Sequence, residues 1–170
     1  MLRVSRSIWL LILTGALLSA DLLVKSWATQ TLPGQTPQPI VPGLLSLTYT
    51  LNQGMAWGLF DQLTLPLALL RLLVGIALVV SLLWGIHPLP RALALSCIAA
   101  GALSNATDGL TQGAVVDYLR SPLLDTFHRG LNGQNFPIFN GADVLVLTGI
   151  VLLLLTLPRT RPRGTPQETL

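Results

Sequence analysis

The chain has 170 residues, of which 51% are hydrophobic and 10% charged, with a mean hydropathy of +0.65. The apolar residues lie in long runs that a soluble core of this size does not need, so one small membrane domain is expected. The bases are not clustered as a nucleic-acid patch; the single cysteine, Cys97, excludes an internal disulfide, and with His87 and His128 in separate loops neither a metal nor another cofactor is expected.

Residues 8–24 form the first apolar segment. Arg3 and Arg6 precede it, and Leu18-Ser19-Ala20 ahead of Asp21 has the look of a secretory signal. The arginine distribution favours an uncleaved span. The second segment covers 63–86 and carries Arg71 in its first half, where it can snorkel or pair with a carboxylate. A proline-rich turn, His87–Arg91, leads to the third segment, 92–110, whose Ala, Gly and Ser suit close helix packing. The fourth covers 142–157 and stops at Pro158. Asn140 is placed to cap it, with Asp143 in its first turn at the positive end of the dipole.

The expected fold is an all-α membrane protein of four transmembrane helices. Arg3, Arg6, Arg91, Arg159, Arg161 and Arg163 fall on one side, against Lys25, Arg120 and Arg129 on the other. That bias puts both termini and the tail 158–170 in the cytoplasm. The loops 25–62 and 111–141 then face outward together. In the first, Leu45–Asn52 alternates apolar and polar residues, which predicts a strand with one greasy face. Met55, Trp57, Phe60 and Trp27 suit the interface. The second loop holds Asp117 and then a mixed stretch, 119–135, expected as a short helix with a mobile flap.

Carboxylates are scarce here, and Asp108, Asp117 and Asp143 gather at segment ends near Asn105 and Asn140. Acids at the mouth of a membrane bundle are expensive, so they are functional candidates. Two facing carboxylates can divide the activation of water, one ionised and one protonated. The plainer alternative is that Asp143 only favours a helix start and Asp117 is solvated. Asn105 and Asp108 share a helix face at i, i+3, and Asp21 and Lys25 at i, i+4 suit a helix-end ion pair. Neither histidine is near a candidate nucleophile in sequence.

Five short pieces in order resemble the lipoprotein signal peptidase (signal peptidase II) family, over roughly 21–148. They are Asp21-Leu-Leu-Val-Lys25, Asn52-Gln-Gly54-Met-Ala56-Trp-Gly58, Ser104-Asn105-Ala-Thr-Asp108, Gly113-Ala-Val-Val-Asp117-Tyr118 and Phe136-Pro-Ile-Phe139-Asn140-Gly-Ala142-Asp143. The resemblance implies an aspartic protease of the bacterial cytoplasmic (inner) membrane. Such an enzyme removes signal peptides from prolipoproteins by cutting just before the diacylglyceryl-modified cysteine, with membrane lipids as its surroundings. It places the catalytic pair at Asp117 and Asp143. Supporting positions fall at Asn52, Gly54, Asn105, Asp108, Asn140, Asp21 and Lys25. It also implies a small strand-rich outer domain around 45–52 and a flap within 119–135. Where the family has Gly and Arg this chain has Ser104 and Gly109, so a substitute cation is expected among Arg71, Arg120 and Arg129, and an arginine at 109 is expected to be tolerated. The competing readings are a small polytopic ligand-binding or transport protein, and a catalytically weakened lipoprotein-binding relative. Internal repeats, which a transporter would favour, are not visible.

Overall fold

The computed structural model describes residues 2–54, 60 and 63–157, with side chains from residue 6 onward. Met55, Trp57, Pro158 and the tail arginines lie outside the described residues, as does the Arg3 side chain. Eight elements follow in order: α1 (Leu2–Thr31), β1 (Gln38–Val41), β2 (Leu45–Asn52), α2 (Thr64–Trp84), α3 (Leu89–Thr111), β3 (Val115–Arg120), α4 (Pro122–Asn132) and α5 (Gly141–Leu155).

The fold is mostly helical with a small three-stranded sheet. α3 is the central helix and packs on α1, α2 and α5. Its small residues make this possible. Ala94, Ala99, Ala100 and Ala106 are buried with almost no exposure, so neighbouring backbones come close. A Cβ on Gly101 would run into the Ala142 carbonyl on α5, and one on Gly149 would lie 2.6 Å from the Ala94 carbonyl oxygen. Two helical stretches, Arg6–Thr31 and Thr64–Trp84, are long and apolar enough to cross a membrane; the apolar helix Gly141–Leu155 is shorter. α3 has 23 residues, but Ala, Ser, Asn and Asp lower its hydropathy. As the helix the others surround, it has least need of a greasy exterior. Leu69, Leu73, Ile76, Leu147 and Leu154 stand exposed on α2 and α5, the faces that would meet lipid.

α1 does not end near Val24 as the hydropathy suggested. It continues to Thr31 and stops just before Pro33, whose preceding residue is disfavoured in the helical region. Asp21 and Lys25 lower the local hydropathy but are buried against α3, at 5% and 2% exposure. The first connection therefore begins at residue 32, not 25.

The sheet runs antiparallel in the order β1-β2-β3. β1 and β2 form a hairpin closed around Gly43, whose φ of 75° suits a residue without a Cβ. β2 is the expected strand, but its apolar set is not one free face. Leu47 and Tyr49 pack on a cluster of Ala28, Leu32, Val116 and Tyr118, while Leu51 is open. Residues 115–120 are a strand rather than loop. Their partner β2 is more than 60 residues earlier, with Thr50 opposite Asp117. Leu119 also bridges to Phe139, which delivers Asn140 and the start of α5 to the side of β3. The stretch expected as a short helix with a flap contains that helix, α4. The Ser121 hydroxyl accepts the Leu124 N–H at its start, and Gly133 in the left-handed region ends it. It exposes Leu123, Phe127 and Leu131 along one face.

Candidate active site

The start of α5 is built by a capping box. The Asn140 side chain accepts the Asp143 N–H at 2.9 Å, and the Asp143 Oδ2 accepts the Asn140 N–H at 3.1 Å. Capping turns the Asp143 carboxylate back toward the end of α3. There Asn105 Nδ2 donates to its Oδ1 at 2.9 Å. Asn140 Nδ2 faces the other way and donates to Asp117 Oδ1 at 2.7 Å. Asn52, from the end of β2, donates through Nδ2 to Asp117 Oδ2 at 3.0 Å. Asn140 Nδ2 also lies 3.2 Å from Asn105 Oδ1 and 3.3 Å from the Val116 carbonyl oxygen. Four segments distant in sequence thus converge on two carboxylates.

Both carboxylates line one cavity of about 290 Å³, together with Asn52, Arg71, Asn105 and Phe136–Phe139. Asp117 itself is 1% exposed, whereas Asp143 is open to solvent. Burial, reinforced by the negative charge of Asp143, pushes the Asp117 carboxyl up to about 7. Hydrogen bonds from Asn52 and Asn140 and the charge of Lys25 pull against that rise without cancelling it.

Beneath the pair lies a buried polar layer. Lys25 Nζ donates to Asn105 Oδ1 at 2.7 Å and to Asp108 Oδ2 at 2.8 Å, with Asp21 Oδ2 at 3.4 Å. The Asp21–Lys25 pair is therefore more than a helix-end contact. With Lys25 on the Asn105 oxygen, the Asn105 amide nitrogen must face Asp143. Asp108 Oδ2 also accepts the Val116 N–H at 3.1 Å, which fastens β3 to α3 just before Asp117. Two contributors were not assigned roles from sequence. Ser104 Oγ donates to Asp21 Oδ2 at 2.6 Å, and the Tyr118 hydroxyl donates to Asp21 Oδ1 at 3.3 Å while accepting the Gly141 N–H at 3.1 Å. Burial and the nearby Asp21 charge raise the Tyr118 phenol, so it remains a donor. The alternation Val115-Val116-Asp117-Tyr118 holds no sign of that link.

Every sequence-predicted site residue is brought into this region. Asn52, Asn105, Asp117 and Asp143 line the cavity, Asn140 bridges it, Gly54 is bonded to Asn52, and Asp21, Lys25 and Asp108 lie beneath. Among the described residues no group of three or more His, Cys, Asp or Glu side chains is arranged to hold a metal ion. At Gly109, where an arginine was expected to be tolerated, the structure leaves little room. A Cβ there would lie 2.8 Å from Ala68 Cβ, so α2 fills the space an arginine would need. The cation that meets Asp108 is Lys25. Arg120 is engaged by Asp125 at 2.7 Å and supports α4 instead.

The family model described as signal peptidase (SPase) II matches residues 13–159. A lipoprotein signal peptidase of Deinococcus radiodurans is 41% identical over 160 residues, covering 92% of this chain and 84% of that protein. Those of Thermosynechococcus vestitus and Streptococcus pneumoniae are 34% and 33% identical, over 82% and 87% of this chain and 85% and 91% of their own lengths. Two solved bacterial membrane enzyme structures, obtained by the in meso method at 2.3 and 1.9 Å, each superpose with a TM-score of 0.72. They are 26% and 25% identical, covering 86% and 89% of this chain and 85% and 94% of theirs. The family match runs through the segments that converge on Asp117 and Asp143, and with the relatives' identity over most of the chain it shows that the chain belongs to the signal peptidase II family.

Proposed function

We propose that this protein removes signal peptides from prolipoproteins as an aspartic endopeptidase, with Asp117 and Asp143 as its catalytic pair. The observation that carries this reading is the shared cavity in which one buried and one open carboxylate are joined through Asn140 and Asn105. Asp117, pushed up to about 7, is the member of the pair that holds the proton, and Asp143 serves as base. Asp143 takes a proton from water as the water oxygen attacks the scissile carbonyl carbon. Asp117 gives its proton to the carbonyl oxygen. The resulting gem-diol collapses when the carboxylate of Asp117 recovers a proton and Asp143 delivers one to the leaving amine. The C–N bond breaks and the pair returns to its starting state.

The proposed setting is the bacterial cytoplasmic membrane, with α1, α2, α3 and α5 as four spans and both termini inside. The sheet, α4 and the catalytic cavity then lie on the outer side. The diacylglyceryl cysteine suits the apolar surroundings there. Ile40, Val41 and Leu51 on the sheet, Leu44 in the β1–β2 turn, and Leu123, Phe127 and Leu131 on α4 are exposed. Each acyl CH₂ taken from water contributes about 0.8 kcal/mol at full burial, so a lipid anchor can dominate substrate affinity. The test is mass spectrometry of products from purified protein in lipid nanodiscs. A diacylated prolipoprotein should be cut directly before the modified cysteine, and its unmodified counterpart far more slowly. Equal rates on the two would defeat the lipid-dependent reading.

A further inference from the structure

Arg71 is not part of the proposed catalytic pair, yet it lines the same cavity. Its Nη2 donates to the Gly54 carbonyl oxygen at 3.2 Å. The Gly54 N–H in turn donates to Asn52 Oδ1 at 3.1 Å. That bond decides which way the Asn52 amide faces. Its oxygen is held by Gly54, so its nitrogen is left to donate to Asp117 Oδ2. A guanidinium on α2 is thus linked, through one tight turn, to one oxygen of the buried acid.

A second tie runs parallel to it. The Thr64 hydroxyl donates to the Gln53 carbonyl. Thr64, Ala68 and Arg71 stand at i, i+4 and i+7 on α2, on one face. The middle member is the one that meets Gly109 on α3, where a Cβ would lie 2.8 Å from Ala68 Cβ. The helices come this close because residue 109 has no side chain. The same approach brings Thr64 and Arg71 within reach of the turn at 52–54.

We propose that Arg71 is a positioning residue of this enzyme, acting through Gly54 and Asn52 on Asp117, and that Gly109 is the packing site that lets α2 carry it there. A side chain at 109 therefore withdraws Arg71 and Thr64 together. The proposal rests on the reading of Asp117 as catalytic, and its test separates the two.

The experiment uses the full chain in lipid nanodiscs with a diacylated prolipoprotein. Arg71→Gln, Arg71→Lys, Gly109→Ala, Asn52→Ala and the double variant Arg71→Gln/Asn52→Ala are compared for kcat and KM. Hydrogen exchange is followed at the Gly54 amide. Losing a hydrogen bond from a charged donor should lower kcat on the order of tenfold or more, with little change in KM. Arg71→Lys should recover part of it. Gly109→Ala should move in the same direction as Arg71→Gln, and both should exchange faster at Gly54. The double variant should be no slower than Asn52→Ala alone, because the two act in series. Additive losses in the double variant, or wild-type kcat and wild-type exchange in Arg71→Gln, would overturn the proposal. If Arg71→Gln does not fold, Arg71→Lys and Gly109→Ala carry the same comparison, and unchanged exchange in both overturns it. Cleavage by Asp117→Asn defeats the catalytic assignment instead, and exchange at Gly54 still decides whether Arg71 holds the turn.

Discussion

Asp117 is where burial and chemistry meet most directly. Its carboxyl is pushed up to about 7 chiefly by burial, and an unfolded aspartate titrates near 3.9. Between those values the unfolded chain binds fewer protons than the folded one, so stability falls as pH rises from about 4 to about 7. Asp117→Asn removes that cost. It should raise the melting temperature at pH 8 by roughly a few degrees and much less at pH 4, measured in one detergent. An equal effect at both pH values would show that the site does not hold its proton as described. The same titration shapes the rate, since the proposed acid is lost as pH passes about 7. Asn52 stabilises the ionised form by hydrogen bonding, so Asn52→Ala should shift the basic limb of the rate profile to higher pH even as it lowers the maximum.

Lys25 is the other decisive residue. It is 2% exposed and meets Asp21, Asn105 and Asp108. Lys25→Met leaves two buried carboxylates uncompensated, a loss of about 3–5 kcal/mol. Adding Asp108→Asn should recover part of that stability, because one buried charge disappears. Recovery is read by thermal unfolding, and a double variant less stable than Lys25→Met alone would contradict the charge balance.

Among the elements, α3 and α5 set the site by their separation. Gly101 sits where any side chain would strike the Ala142 carbonyl, next to Asp143. Gly101→Leu should therefore destabilise by about 1–3 kcal/mol and displace the Asp143 turn, lowering cleavage more than Lys25-remote surface changes do. A stable Gly101→Leu variant with full activity would contradict this packing.

How much of each element was legible depended on how local its cause is. The strand Leu45–Asn52 follows from its own period-two pattern, and the start of α5 from Asn140 capping Asp143. β3 was missed because its reason for being a strand is β2, far away in the chain. The end of α1 was missed because Asp21 and Lys25 look like a membrane boundary until α3 supplies their partners. The short helix expected within 119–135 is α4, and its bounds were legible in Ser121-Pro122 at its start and Gly133 at its end. In the site, the aspartates stood out because acids are rare in this chain. Arg71 stood out as a charge within an apolar segment but its link to Gly54 did not, and Tyr118 gave no sign, because its partner is 97 residues away.

For the whole molecule, the charge asymmetry predicts that the sheet and α4 lie outside and the α2–α3 turn inside. In a background with Cys97 replaced, Gln35→Cys and Gly130→Cys should react with an impermeant thiol reagent added to intact cells. Ile86→Cys, on the exposed turn, should react only after the membrane is opened. Labelling of Ile86→Cys from outside would invert the orientation.

The central claim is that one cavity with two carboxylates cuts lipidated precursors. The most direct measurement is single-turnover cleavage of a diacylated prolipoprotein by wild-type protein, Asp117→Asn and Asp143→Asn in nanodiscs, with folding checked by thermal unfolding. The account predicts that both variants fold and insert normally and that each loses cleavage by at least about three powers of ten, as removal of an essential acid or base does. Wild-type-like turnover in either folded variant would contradict it.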